Sequence, residues 1–210
     1  MVSMQRLNLL DPSSPNPSVE TLLHAFLPHK FIDHTHSISL LAIADQLNSE
    51  KLCEEIYGKR VAVVPYVMPG FDLALIAANY FDKANEEAKR LNIELEGMIL
   101  LKHGIFSFGD TAKQSYKRMI KLVKESENFL KRKVNLMIRN SKEENSILIQ
   151  NSLIPYIRGI FCRKYKSFGE NEKWVFEIRN NKNIKELLNH VDLIKITQKG
   201  VATPDHVIRT

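Results

Sequence analysis

The chain has 210 residues, of which 44% are apolar and 26% are charged, a composition typical of a globular protein with one substantial core or one domain plus an appendage. No apolar run approaches the roughly 20 residues that span a bilayer, and the N-terminus lacks the apolar stretch and cleavage site of a secretion signal. The two cysteines, Cys53 and Cys162, are far apart and have no metal-binding or redox spacing. We therefore expect no membrane partner and a cytoplasmic location.

The net charge of +6 is unevenly distributed along the chain. Residues 1–105 hold 9 Lys and Arg against 13 Asp and Glu, whereas residues 106–210 hold 21 against 11. A basic half can bind nucleic acid or an acidic protein. Here the basic residues are interleaved with Glu125 and Glu127, and no series of aromatic residues accompanies them. We therefore expect a solvated basic surface rather than a nucleic-acid partner.

The first predicted elements carry several polar side chains. A Pro- and Ser-rich loop over 11–17 ends at Ser18, a good N-cap for a helix over about 19–28. Glu20 then lies in the first turn of the helix, and His24 lies one helical step later on the same face. A strand from Lys30 to His36 would place His34 and His36 on one side, two residues apart, where two imidazoles can bind one ion.

Helices and strands then alternate, which favours α/β layers. Beyond residue 140 the pattern changes, and residues 140–145 are polar enough to form a linker. We therefore predict a core domain over 1–139 and a C-terminal extension over 140–210. No P-loop is present and no GxGxxG follows a strand, so no motif indicates nucleotide binding. The predicted elements are helices at 37–47, 50–57, 71–91, 111–133, 146–163 and 183–190 and strands at 61–64, 97–102, 105–108 and 174–178.

Four residues form a candidate metal site: Glu20, His34, His36 and His103. Three neutral nitrogen donors and one carboxylate suit Zn2+ or another divalent ion with a position open to substrate. Each histidine lies at the end of a predicted strand, where α/β sheets place ligand sites. The alternative is a set of surface or core histidines, with Glu20 and His24 in a simple contact along one helix face.

The same residues lie in segments that resemble the successive motifs of the class II aldolase/adducin family. Within that family, two further segments are most similar to the aldolase part of the bifunctional rhamnulose-1-phosphate aldolase/alcohol dehydrogenases. The resemblance extends from about residue 9 to the end of the chain. The family segments are 17–24 (PSVETLLH), 33–36 (DHTH), 64–66 (VPY) and 101–104 (LKHG), and the two further segments are 65–72 (PYVMPGFD) and 203–210 (TPDHVIRT).

The resemblance implies a three-layer α/β/α sheet and a zinc ion held by His34, His36 and His103. It implies that Glu20 carries a proton at the metal and that Ser18 lies near the substrate phosphate. The implied reaction is the cleavage of a ketose 1-phosphate, such as rhamnulose 1-phosphate, to dihydroxyacetone phosphate and lactaldehyde. Members of the family resemble cyclic homotetramers, so a homo-oligomer is expected.

The chain also departs from the family pattern. The upstream phosphate-binding loops and the dehydrogenase that follows in the bifunctional branch do not occur in this sequence. The expectation is therefore a central segment with a sheet incomplete at its N-terminus, active alone or with a complementing chain. Two alternatives stay open: a non-catalytic adducin-like or remnant fragment, and a sugar-phosphate epimerase or dehydratase that uses the same metal site.

Overall fold

A mixed sheet of four strands forms the centre of the first of two units. The computed structural model describes residues 2–133, 146–164, 174–179 and 181–201, and these divide into one unit at 2–133 and another within 146–200. The predicted linker at 140–145 and the predicted domain boundary after residue 139 lie outside the described residues. The elements of the first unit are α1 (Val2–Leu7), α2 (Thr21–Phe26), β1 (Phe31–Thr35), α3 (Ile38–Ala44), α4 (Ser49–Tyr57), a 3-10 turn (Gly58–Arg60), β2 (Val61–Val64), α5 (Phe71–Arg90), β3 (Gly97–Leu100), β4 (Gly104–Gly109) and α6 (Ala112–Lys133).

The strands lie in the order β1, β4, β3, β2. β4 is antiparallel to both of its neighbours, and β2 is parallel to β3. In this register His34 in β1 lies opposite Phe106 in β4, and Leu100 at the end of β3 lies opposite Gly104 at the start of β4. The end of β1 and the turn between β3 and β4 therefore meet at one edge of the sheet.

Helices cover both faces of this sheet, and each face has its own apolar core. Successive side chains of a strand point to opposite faces, so Met98 and Leu100 pack beneath α2 and α5 while Ile99 packs beneath α3, α4 and α6. Every residue of β3 and β4 is buried, as expected of strands covered on both faces. The predicted α/β fold with three layers is confirmed.

The turn after β3 differs from the predicted strand over 97–102. The strand ends at Leu100 because Lys102 has a φ of 59°, a left-handed conformation that turns the chain back into β4. His103 consequently lies in the turn and not on a strand, and Gly104 begins β4. This turn directs the His103 side chain towards the start of α2, since its ring nitrogen lies 2.6 Å from the Glu20 carboxylate.

Two further boundaries affect the candidate site. Helix α2 begins at Thr21, so Glu20 occupies its N-cap position and not its first turn. Ser18 lies two residues before Glu20, and its Oγ accepts a hydrogen bond from the Glu20 backbone N–H at 3.2 Å. Strand β1 ends at Thr35, which leaves His36 just beyond the ladder. The Glu20 carboxylate is thus directed to the histidines and does not cap the helix.

The described residues of the second unit form three helices, α7 (Ser146–Lys164), α8 (Lys182–Leu188) and α9 (Leu193–Thr197). The prediction of a strand at 174–178 was wrong, because these residues have no strand partner among the described residues. The Phe161 ring packs instead against Trp174 and Phe176, at centroid distances of 5.7 and 5.5 Å. Across the residues that the structure describes, none of the helices is long and apolar enough to cross a bilayer.

Candidate metal centre

The four side chains predicted to form a metal site lie together at one edge of the sheet. Their ligand atoms all lie within 4.8 Å of one another. Glu20 comes from the start of α2, His34 and His36 from the end of β1, and His103 from the turn between β3 and β4. They meet because β4 pairs with β1 on one side and with β3 on the other. Residues up to 83 positions apart in the sequence are thus in direct side-chain contact.

Distances within the cluster are those of groups that share one centre. Glu20 Oε1 lies 2.6 Å from His103 Nε2 and 3.2 Å from His34 Nε2. The third histidine is slightly farther from the carboxylate, with His36 Nε2 at 4.0 Å. His34 Nε2 and His36 Nε2 are 3.0 Å apart. One carboxylate oxygen therefore faces three ring nitrogens.

His34 is held by two neighbouring groups. Its Nδ1 lies 3.0 Å from the carbonyl oxygen of Ile105, and since a carbonyl oxygen only accepts, Nδ1 is the donor. The ring also stacks on Phe106, with a centroid distance of 4.1 Å and an interplanar angle of 18°. A neutral imidazole that donates from Nδ1 presents a lone pair at Nε2, which is the nitrogen that faces the cluster.

The Glu20 carboxylate is stabilised in its charged form. The close contacts with His103 first, and with His34 second, hold the pKa of Glu20 well below its usual range, although burial acts in the opposite direction. Only 21% of the Glu20 side chain is exposed, and that of His103 is 8% exposed. A negative charge is therefore kept beside three imidazoles, which is the electrostatic arrangement that attracts a divalent cation.

The donor set fits such an ion. Two ligands of a tetrahedral ion with bonds of about 2.0–2.1 Å lie about 3.3 Å apart, close to the observed 3.0 and 3.2 Å. Among the described residues, His103 Nδ1 is also the one buried side-chain nitrogen or oxygen without a hydrogen-bond partner. A metal-bound histidine normally donates its other ring N–H to a partner, so the fit of the site rests on the spacing of the donor atoms and not on this nitrogen.

A cavity of about 540 Å³ adjoins the four residues on the side of α2 and β1. Glu20 and His34 contribute to its wall, so an ion at the cluster would be reachable from the cavity. Another cavity, of about 410 Å³, lies beside β2 between α4 and α5 and contains none of the four residues. The wall of the first cavity is formed by Ser18, Glu20, Thr21, His24, Ile32, Asp33 and His34.

All four predicted metal-site residues are thus in one place, and Ser18 and His24 lie in the adjoining wall. Their roles as ligands, base and phosphate contact remain predictions. Sequence reasoning missed Thr21 and Asp33, which also line the cavity. Asp33 directly precedes His34 in the DHTH segment. Neighbouring residues of a strand point to opposite faces, so the sequence does not indicate that Asp33 and His34 line the same cavity.

Two family models and one curated relative match this chain. The family described as "Class II Aldolase and Adducin N-terminal domain" matches residues 1–129, and "Aldolase class II, second domain" matches residues 149–210. A Bacillus subtilis (strain 168) protein named "Uncharacterized oxidoreductase YuxG" is 31% identical over 209 residues, which cover 96% of this chain. The matched part is 28% of the length of that curated relative.

Two solved structures are also similar. The N-terminal class II aldolase domain of a conserved protein from Thermoplasma acidophilum is 41% identical, with a TM-score of 0.53, over 61% of this chain and 55% of that chain. A sugar-phosphate aldolase from Thermotoga maritima is 21% identical, with a TM-score of 0.44, over 58% of each chain. Because the first family match covers more than half of the chain, the predicted family is confirmed, and the chain belongs to the class II aldolase and adducin family.

Proposed function

We propose that this chain is a metal-dependent aldolase that cleaves a ketose 1-phosphate, such as rhamnulose 1-phosphate, to dihydroxyacetone phosphate and lactaldehyde. The observation that carries the proposal is the convergence of three histidine nitrogens and one carboxylate beside a cavity. Family membership supports the reaction class. The narrower resemblance to the rhamnulose-1-phosphate branch supports the substrate, and the activity belongs to this chain alone or together with a complementing chain.

In this proposal the ring nitrogens of His34, His36 and His103 hold Zn2+ or another divalent ion. A bound divalent ion would supply Lewis-acid stabilisation of the negative charge that develops on the substrate oxygens when the carbon–carbon bond breaks. Three uncharged ligands leave the ion its full double charge, which favours that stabilisation. The Ile105 carbonyl fixes the tautomer of His34, and the Phe106 ring fixes its plane.

Glu20 is proposed to move the proton. Its carboxylate is ionised and lies in the cavity wall, so Oε1 can accept a proton from a substrate hydroxyl and return it to carbon. The carboxylate lies beside the proposed ligands, with Oε1 2.6 Å from His103 Nε2. The main chain supports this position as well, because Glu20 stands at the start of α2, where Ser18 accepts its backbone N–H.

Ser18 is proposed to contact the substrate phosphate. It lies in the wall of the same cavity as Glu20 and His34, so one substrate could reach both the metal cluster and this hydroxyl. The hydroxyl oxygen already accepts from the Glu20 N–H, which leaves its O–H free to donate to a phosphate oxygen. A phosphate at Ser18 would orient the reacting carbons towards Glu20.

The oxidoreductase name of the Bacillus subtilis relative supports no second function for this chain. That name belongs to a protein of which the matched part is 28%. The 210 residues contain no GxGxxG segment after a strand, which is the sequence signal of a dinucleotide site. We therefore assign the chain the lyase reaction and no hydride transfer.

The test is release of dihydroxyacetone phosphate from rhamnulose 1-phosphate by the purified, metal-loaded chain. We expect turnover that disappears in the His34→Ala/His36→Ala variant and after chelation. Product analysis by NMR distinguishes the reactions open to this metal site. An epimerised or dehydrated sugar phosphate in place of the two cleavage products would overturn the aldolase assignment.

A further inference from the structure

Gly104 occupies the space between the two histidines of β1. It begins β4, is buried, and pairs with Leu100 across the turn that carries His103. A Cβ atom at this position would lie 2.7 Å from Cδ2 of His36 and 2.8 Å from Cε1 of His34. Carbon atoms in contact prefer about 3.5–4.0 Å. Any residue other than glycine would therefore collide with both rings.

The requirement at Gly104 is for space and not for backbone conformation. Gly58, Gly70 and Gly200 have positive φ angles, and a Cβ at any of them would meet nothing within 4 Å. Gly104 shows the reverse pattern, since it has no positive φ and is surrounded by close neighbours. The missing side chain at Gly104 is thus explained by the rings beside it.

The neighbours of Gly104 differ in how easily they can move. The carbonyl oxygen of Thr35 would be 2.8 Å from the added Cβ, and it belongs to β1. His34 is held by the Ile105 carbonyl and by the Phe106 ring. His36 lies beyond the end of the strand and is more exposed, at 24% against 10% for His34. A Cβ at position 104 would therefore press on both rings, of which His36 is the more exposed.

We propose that Gly104 is a positioning residue that sets the 3.0 Å separation of His34 Nε2 and His36 Nε2 and thereby the affinity of the centre for a small divalent ion. This inference rests on the proposed metal site. Gly104 offers no ligand atom to the ion. Its proposed role is to leave free the space into which the two histidine rings fit. Mutation of a residue that only holds a ligand in place typically lowers metal affinity about 10- to 100-fold.

The test compares Gly104→Ala with two control variants in the full chain. Gly97→Ala would place a Cβ 2.6 Å from the Phe106 carbonyl oxygen and 2.9 Å from Leu122 Cδ1, so it is matched in crowding but touches none of the four site residues. Gly109→Ala lies on the same strand as Gly104, and the three atoms nearest to its new Cβ all belong to the Gln114 side chain. Affinities for Zn2+ and Co2+ are measured by competition titration, and the Co2+ absorption spectrum reports the ligand geometry.

We expect Gly104→Ala to lose about 10- to 100-fold in affinity for both ions and to change the Co2+ spectrum, while both controls keep the affinity and spectrum of the original chain. Unchanged affinity in Gly104→Ala would overturn the inference, as would an equal loss in Gly97→Ala. Failure of the original chain to bind either ion would instead contradict the proposed metal site itself, so the two failures are distinguishable.

A folding measurement covers the case in which Gly104→Ala does not fold. The same substitution is made in a His36→Ala background, where the more exposed of the two crowded rings is gone. We expect the double variant to fold, and Gly104→Ala to cost less free energy of unfolding there than in the original chain. An equal cost, or failure of the double variant to fold, would assign Gly104 to backbone packing against Thr35 and overturn the inference.

Discussion

Neighbouring groups orient the individual side chains of the candidate metal centre. Glu20 faces three ring nitrogens because it stands at the start of a helix with its side chain free of capping. His34 is fixed by a carbonyl and an aromatic ring on its two sides. Residue types, predicted strand ends and the family resemblance together selected Glu20, His34, His36 and His103. The left-handed turn at Lys102 that aims His103 has no glycine or asparagine to indicate it.

Replacing Glu20 by Gln separates proton transfer from metal binding. Glutamine keeps the size and one oxygen of the side chain but cannot accept a proton as a carboxylate does. We expect the turnover number for ketose 1-phosphate cleavage to fall by about 10²- to 10⁴-fold. Metal content, measured by elemental analysis on the same sample, should stay near that of the original chain. Loss of the metal together with activity would instead make Glu20 a required ligand.

His29 should make stability depend on pH. Its ring stacks on Phe108 at 4.2 Å, and burial lowers its pKa below the ordinary value of 6.5, more than nearby Asp110 raises it. The unfolded chain therefore binds a proton at a higher pH than the folded chain does. The stabilisation by neutral His29 is complete above about pH 6.5 and is lost as the pH falls through the lowered pKa.

A His29→Phe variant keeps the ring stack and removes the titration. Urea unfolding at about pH 7.5 and about pH 5.5 should show a smaller loss of stability in this variant than in the original chain. The comparison between the two chains cancels the contribution of the other histidines. An equal loss in both would mean that His29 binds its proton equally well in the folded and unfolded states.

A strand is predicted correctly from sequence when its apolar pattern is matched by a neighbouring strand in the folded sheet. Strand β2 was predicted at 61–64 and is found there, because four apolar residues are followed by a proline. The pattern of 174–178 has the same local propensity, yet no neighbouring strand pairs with it among the described residues. β-propensity describes how a segment suits a sheet, and it cannot supply the partner strand.

An ion-pair network connects three elements of the first unit. The Arg60 guanidinium lies 2.9 Å from Glu96, just before β3, and 2.7 Å from Glu125 on α6. All three side chains are largely buried, which makes the hydrogen bonds of Arg60 more valuable than those of an exposed pair. The network therefore ties the start of β2 to β3 and to the helix above them.

We expect Arg60→Met to lower the free energy of unfolding by about 1.5–3 kcal/mol, because two carboxylates lose a charged donor. Arg90→Met is the matched control, since Arg90 is 79% exposed and its distance to Glu86 is 3.7 Å. That control should change stability by less than about 0.5 kcal/mol. Equal effects of the two substitutions in urea unfolding would show that the Arg60 network adds nothing beyond a surface pair.

At the scale of the whole molecule, alternating helices and strands predicted the layers but not the strand order. Nothing in the sequence shows that β4 separates β1 from β3, since that depends on the packing of the whole sheet. Yet this order is what joins residues 20, 34, 36 and 103. The four residues could nevertheless be selected from the sequence. Histidine and carboxylate side chains bind the same divalent ions, and they can share one ion only if they lie together.

Because this chain matches only part of a longer curated relative, the activity of the whole protein is a proposal. The matched part is 28% of that protein, and 55% of the Thermoplasma acidophilum chain. The four residues of the candidate metal centre, however, all lie within the unit at 2–133. A divalent ion should therefore bind to this chain whether or not a complementing chain is needed for cleavage.

Metal content of the purified chain tests the central claim most directly. Elemental analysis should find about one Zn2+ or other divalent ion per chain, since three histidines and a carboxylate form a single site. The His34→Ala/His36→Ala variant should remain folded by circular dichroism and lose the ion. A folded original chain without bound metal after reconstitution, or a variant that binds as much metal as the original, would contradict the account.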